Sequence, residues 1–223
     1  MNINNNIQRY KQTLQEGCSL VAVSKTQPIE TIQQAYDYGQ KIFGENKAQE
    51  LVQKYEALPK DIEWHMIGHL QTNKVKYIIP FVHLIHSVDS PKLLSEINKQ
   101  GQKLGRKINC LLQIHIASEE SKFGFSREEV LELIEGSIIT SFSFIKILGL
   151  MGMATFTDNS EIVREEFRQL KKFFDHLKTL ELPKNIQMKE LSMGMSSDYQ
   201  IAIEEGSTMI RIGSDIFGER VTH

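Results

Sequence analysis

Hydrophobic positions along this chain follow two rhythms that alternate from one end to the other. Short apolar runs at 19–24, 41–43, 64–67, 83–87, 109–116, 146–150, 188–192 and 208–212 have the length of strands. Between them, at 29–39, 47–57, 73–79, 91–105, 127–135, 161–180 and 197–205, apolar residues recur at the helical period, and a polar helical segment at 5–15 precedes everything. Punctuation supports these boundaries. Pro28 stands before one helix, Ser90 followed by Pro91 supplies an N-cap and a first-turn proline, and Asp158 and Ser160 are placed to cap the long helix, which Pro183 follows. Gly39, Gly101, Gly105 and Gly206 stand where helices are expected to stop.

Strict alternation of eight strands with helices implies parallel pairing, because each return to the sheet must pass through a crossover helix. Consecutive apolar residues such as Leu20, Val21, Ala22 and Val23 suit strands covered on both faces. A closed barrel and a doubly wound sheet both satisfy this pattern. The number of β/α units and the length of 223 residues favour a single (β/α)8 TIM barrel of the α/β class with an extra N-terminal helix, expected to form one domain over 1–223.

Composition narrows the function classes. The chain is 40% hydrophobic and 24% charged with a net charge of −2, so no bulk field draws it to nucleic acid or to an acidic membrane. Its two cysteines, Cys18 and Cys110, form neither a CxxC nor a metal-binding spacing, and reduced thiols are expected. The polar first segment lacks the apolar core of a secretory signal, and the longest apolar stretch, 77–85, is interrupted by Pro80 and His83. A cytoplasmic protein is the expectation.

In a barrel, chemistry belongs at the C-terminal ends of the strands, with phosphate sites often formed by the loops after the seventh and eighth. Here those loops are Ser192-Met-Gly-Met-Ser-Ser-Asp198 and Arg211-Ile-Gly-Ser-Asp215. Gly194 permits close backbone approach, and a helix is expected to start near Ser196 or Ser197; free backbone N–H groups and hydroxyls there suit an anion, although serine caps are also common without one. Lys25 ends the first strand in Val21-Ala-Val-Ser-Lys-Thr26, on the face of Val21 and Val23. A partly desolvated lysine there is a nucleophile toward an aldehyde; the plainer alternative is a rim lysine paired with a carboxylate. Arg211 lies inside the last strand, where its permanent charge calls for a partner, either a core carboxylate or the ring nitrogen of a bound pyridine. His65 and His69 are four apart but straddle a strand and Gly68, and His83 and His86 alternate along another; no metal is expected. Walker, GxSxG and strand-linked GxGxxG motifs are absent.

The ordered motifs resemble the pyridoxal phosphate homeostasis protein family, related to the alanine racemase barrel. They are Val21–Thr26 as above, Phe43-Gly-Glu-Asn46 with Gln49-Glu50, Trp64-His-Met-Ile-Gly68 with Leu70-Gln71, Ile85-His-Ser-Val-Asp-Ser90, Glu120-Ser-Lys122, Gly149-Leu-Met151, Leu191-Ser-Met-Gly-Met-Ser196, Arg211-Ile-Gly213 and Ile216-Phe-Gly218. They span essentially the whole chain. The resemblance implies pyridoxal 5′-phosphate (PLP) held as an imine on Lys25, a phosphate bound by Ser196 and the backbone of Gly213 and Ser214, Arg211 near the pyridine nitrogen and Asn46 near the ring. It further implies a monomeric or loosely associated carrier that buffers PLP and supplies apo-enzymes, with Lys122 tied to cofactor release. Two positions depart from many relatives: Gln27 stands where a second lysine is usual, and Lys47 follows Asn46 where another residue is common.

Two other activities compete. An amino-acid racemase of the alanine racemase type needs a second acid/base, usually a tyrosine opposite a further domain, and the ten or so residues after the last strand are too few for one. A Schiff-base aldolase acting on phosphorylated sugars would use the same lysine and phosphate site without a chromophore. A purely regulatory binding partner would keep its interactions after loss of Lys25.

Overall fold

The computed structural model describes residues 2–117 and 123–218, apart from the side chain of Ser137. Eight strands, β1 (Ser19–Val23), β2 (Ile42–Glu45), β3 (Glu63–Met66), β4 (Leu84–Val88), β5 (Ile108–Gln113), β6 (Ile145–Met151), β7 (Ile186–Ser192) and β8 (Met209–Ile212), close into a barrel in chain order. Every neighbouring pair is parallel, and β8 returns onto β1 with Arg211 opposite Val21. The helices outside are α1 (Ile3–Thr13), α2 (Ile29–Asp37), α3 (Ala48–Ala57), α4 (Val75–Ile78), α5 (Pro91–Leu104), α6 (Arg127–Glu135), α7 (Ser137–Ser141), α8 (Ser160–Thr179), α9 (Tyr199–Glu204) and α10 (Ser214–Phe217). No helix of the described residues is long and apolar enough to cross a membrane.

All eight expected strands form, each end within three residues of the sequence reading. Four details differ. Helix α5 runs through Gly101, which lies against Arg106 O and Phe144; Gly105 ends it instead, in the left-handed conformation. Asn159, rather than Asp158 or Ser160, caps α8 by accepting from Glu161 N. The helix after β7 starts at Tyr199 rather than near Ser196 or Ser197, because Asp198 Oδ1 takes Met195 N at 2.6 Å and holds 195–198 as a turn. The short α7 has no counterpart in the sequence reading, since five residues carry too little periodicity to register.

Two apolar shells hold the barrel. The larger lies between strands and helices and includes Phe43, Trp64, Met66, Leu112, Phe167 and Phe174, all buried. The inner one is a small plug of Val21, Leu84, Leu111, Met151 and Met209. The plug is small because four buried polar side chains, His65, His86, Ser192 and Arg211, also occupy the interior. Helix α1 braces the β8–β1 seam: Ile7 and Tyr10 are buried, the Tyr10 hydroxyl donates to Asp215 Oδ2 at 2.5 Å, and Asn6 Nδ2 donates to Ile216 O. The extra N-terminal helix therefore fixes α10, whose first residue faces the barrel mouth.

The β6–β7 register shifts between Ile147 and Gly149. Gly149 has φ +156°, and a Cβ there would stand 1.8 Å from Glu190 O, a contact no rotamer change relieves. Gly149→Ala is expected to lower stability by about 3 kcal/mol or more, read as a fall in the chemical-denaturation midpoint.

Candidate cofactor site

The cavity at the C-terminal end of the strands has a volume of about 560 Å³, within the range of small-molecule sites. Lys25, Asn46, Ser196, Arg211, Gly213 and Ser214 all line it, so six of the residues singled out from sequence converge on one space. Lys122 lies outside the described residues. A cleft of about 730 Å³ at the opposite end, among Lys107, Lys146 and Lys184, sits where the strands begin, the end of such a barrel that serves stability.

Lys25 reaches the cavity from a turn. Strand β1 ends at Val23, Gln27 N donates to Ser24 O, and Thr26 takes φ +64°, a left-handed conformation that costs a non-glycine residue roughly 1–2 kcal/mol. A buried polar cluster holds this turn. The Lys54 ammonium, arriving from α3, donates at 2.7 Å to Ser24 O, Glu45 Oε1 and Glu50 Oε1, using all three of its hydrogens. Ser24 Oγ donates to Glu45 Oε1 at 2.6 Å, and Thr26 N donates to Glu50 Oε1 at 2.6 Å. Both backbone neighbours of Lys25 are thus tied to one ion cluster. Burial pushes the Glu45 carboxyl up to about 7 despite the opposing pull of Lys54. None of Glu45, Glu50 and Lys54 was assigned a role from sequence; the Glu50–Lys54 spacing of four was the available signal.

The loops after β7 and β8 meet at the mouth. Gly194 has φ +99° and packs on α9, where a Cβ would lie 2.6 Å from the Ala202 Cβ. Arg211 N donates to Gly194 O at 3.0 Å, which stitches the loop after β7 to β8 and sets Ser196 beside Gly213 and Ser214.

Of the two partners considered for Arg211, a core carboxylate is not what its guanidinium bonds. Nη1 donates to Ser192 Oγ at 2.6 Å and Nη2 to Gly152 O at 3.2 Å, both neutral, while Asp198 acts on it through space. Burial lowers its pKa to about 10, so the charge persists at neutral pH. Beneath it the polar contacts continue, with Ser192 Oγ 3.0 Å from His86 Nδ1 and His86 Nε2 2.9 Å from His65 Nδ1. Burial holds both imidazoles well below their ordinary pKa, His65 at about 3, so they are neutral. The rim carries Gln27, one of the two departures noted from sequence, and residues that sequence did not single out for this site: His69, Gln113, Phe123, Met153 and Phe156. His69 Nδ1 lies 2.8 Å from Asp89 Oδ2, with its ring against Phe123.

A lysine and a buried arginine at the mouth of a closed parallel barrel define the class, and the family model described as alanine racemase, N-terminal domain, matches residues 1–221. Relatives named pyridoxal phosphate homeostasis protein include one from Aquifex aeolicus, 44% identical over 92% of this chain and 89% of its own length, and one from Homo sapiens, 40% identical over 90% and 76%. Among solved structures, PipY of Synechococcus elongatus without PLP superposes with a TM-score of 0.90 at 33% identity, covering 97% of this chain and all of that one. PipY with PLP bound gives 0.87 at 32% identity over the same coverage. The alanine racemase of Clostridium difficile, at 17% identity and a TM-score of 0.79, shares the fold over 57% of its length. The chain belongs to the pyridoxal phosphate homeostasis protein family.

Proposed function

We propose that this protein binds pyridoxal 5′-phosphate at the barrel mouth, attached through Lys25, and carries or buffers the cofactor to maintain its supply inside the cell. The observation that carries this reading is the convergence of Lys25, Ser196, Arg211, Gly213 and Ser214 on one cavity of about 560 Å³. The donor set fits the group: an amine for an aldehyde, hydroxyl and backbone N–H donors for a phosphate, and a fixed cation for a ring nitrogen. The family name and the PLP-bound PipY structure support it.

When bound, the cofactor supplies an aldehyde that condenses with amines and a ring that can act as an electron sink. The chain's own residues set how far that chemistry goes. Ser196 and the N–H groups of Gly213 and Ser214 would hold the phosphate, and Asn46, on the same cavity wall, would meet the rest of the group. Arg211, still charged, would oppose protonation of a ring nitrogen held beside it, which would weaken the ring as a sink and favour carriage over turnover. We further propose that residues 1–223 work as one cytoplasmic unit without a required partner subunit, that apo-enzymes using PLP are the recipients, and that Lys122 assists release.

The test is transfer. Protein loaded with PLP and freed of excess cofactor is mixed with an apo PLP-dependent enzyme while recovered activity is followed, and solvent deuterium uptake by alanine is measured in parallel. Transfer with negligible exchange is expected. Exchange at enzymatic rates with matching loss of optical rotation would make the protein a racemase, and failure to transfer would end the carrier reading.

A further inference from the structure

We propose a transition-metal site of the zinc class at the N-terminal rim of the barrel, formed by Glu63, His65 and His83. Glu63 and His65 are two apart on β3 and so share one face, and His83 directly precedes the neighbouring β4, held there by its N–H bond to Trp64 O at 2.8 Å. One ligand atom from each residue lies within 4.8 Å of the other two, and His83 Nε2 is 3.6 Å from Glu63 Oε2. These contacts come from strand register, which the linear spacing of the histidines conceals.

An independent observation comes from His65 itself. Its ring is 2% exposed, Nδ1 is engaged by His86, and Nε2 is buried with no hydrogen-bond partner among the described residues. A buried polar atom is ordinarily satisfied. A neutral imidazole with Nδ1 hydrogen-bonded and Nε2 open is the form that binds a metal. Two imidazoles and one carboxylate are a recognised zinc donor set with a fourth position left for water. Zinc–ligand bonds of roughly 2.0–2.1 Å in a tetrahedron place the donors about 3.4 Å apart. The side chains of His83 and Glu63 are 48% and 44% exposed, so both can swing in to close that distance while His65 stays anchored.

Occupancy would also order protons through the interior. With metal on Nε2, the His65 proton must sit on Nδ1 and point to His86 Nε2. His86 then carries its proton on Nδ1 and donates to Ser192 Oγ, which also accepts from Arg211. Without metal, the reverse order satisfies the same contacts: Ser192 donates to His86, and His86 donates to His65. The ion therefore selects one of two hydrogen-bond directions in a column ending at the cofactor cavity, as outer-sphere partners of a metal-bound histidine do elsewhere.

Zinc chloride would be titrated calorimetrically into the full-length protein, wild type, His83→Ala and Glu63→Gln, with cobalt(II) as the optical probe. One ion per chain, tetrahedral cobalt absorption and a loss of affinity of about tenfold or more in each variant are expected. Both substituted side chains are half exposed, and unchanged metal-free melting would verify their folding. Histidine 15N spectra of the zinc form should place protons on Nδ1 of both His65 and His86. No uptake, or equal affinity in both variants, overturns the site; a proton retained on Nε2 of His65 overturns its ligation.

Discussion

Lys25→Ala is expected to abolish the visible imine band that wild-type protein develops with PLP, and to weaken cofactor retention at least about 100-fold, or about 2.7 kcal/mol. The argument is one of attachment. On the proposed site Ser196, Gly213 and Ser214, which line the same cavity, would still meet the phosphate, so residual non-covalent binding should remain. Borohydride reduction of the wild type followed by peptide mapping should recover the label on Lys25. A persistent band in the variant, or a label on another lysine, would sink the attachment, and no band in the wild type would return the aldolase-like barrel to first place. Because Lys25 is half-buried in a turn at the strand end, its truncation should leave melting nearly unchanged, which separates loss of binding from loss of fold.

Lys54→Met should be the most destabilising single side-chain change near the site, at about 3–5 kcal/mol at neutral pH. It leaves Glu45, fully buried, without its counter-ion and removes three charge-assisted hydrogen bonds at once. Binding should suffer too, because Ser24 and Thr26, which flank Lys25, lose their anchor. The cost should shrink on acidification, since a proton on Glu45 removes the uncompensated charge. Denaturant unfolding of wild type and variant at pH 5 and pH 8 measures this; equal costs at both would show that the ion pair is not the cause.

Glu45 makes its own contribution to pH dependence. Its folded pKa, about 7, lies above its ordinary value of 4.5, so the folded state holds the proton more tightly. The associated stability is present in full below pH 4.5 and is lost as pH rises through 7, with a size of about 3 kcal/mol. His65 and His86 slope the other way: with folded pKa values depressed below 6.5, their contribution is present above that pH and is lost on acidification, for His65 through about 3. The Glu45 term is therefore read as the difference between wild type and Glu45→Gln, which should narrow steadily from pH 4.5 to 7.

Much of this protein is written locally. Strand and helix periods, Pro91 after Ser90, and the order of the elements depend on neighbours a few residues apart, and they sufficed for eight β/α units. Lys25 and the glycine–serine loops were legible because a strand end and a turn reveal themselves in sequence. Arg211 stood out because a permanent charge among apolar neighbours needs a reason. The sequence alone left barrel and open sheet both admissible; pairing of β8 with β1 decides between them, and that is a contact between opposite ends of the chain.

The interior was beyond local reading for the same reason. Lys54 meets a carbonyl 30 positions away, and His86 meets a hydroxyl 106 positions away. Each of those residues taken alone reads as a surface lysine on a helix or an unremarkable strand histidine. Their roles arise when closure of the barrel removes water from them, because a desolvated charge or imidazole must find its partner within the protein. Strand register, including the two-residue shift between Ile147 and Gly149 against β7, then determines which partner is within reach.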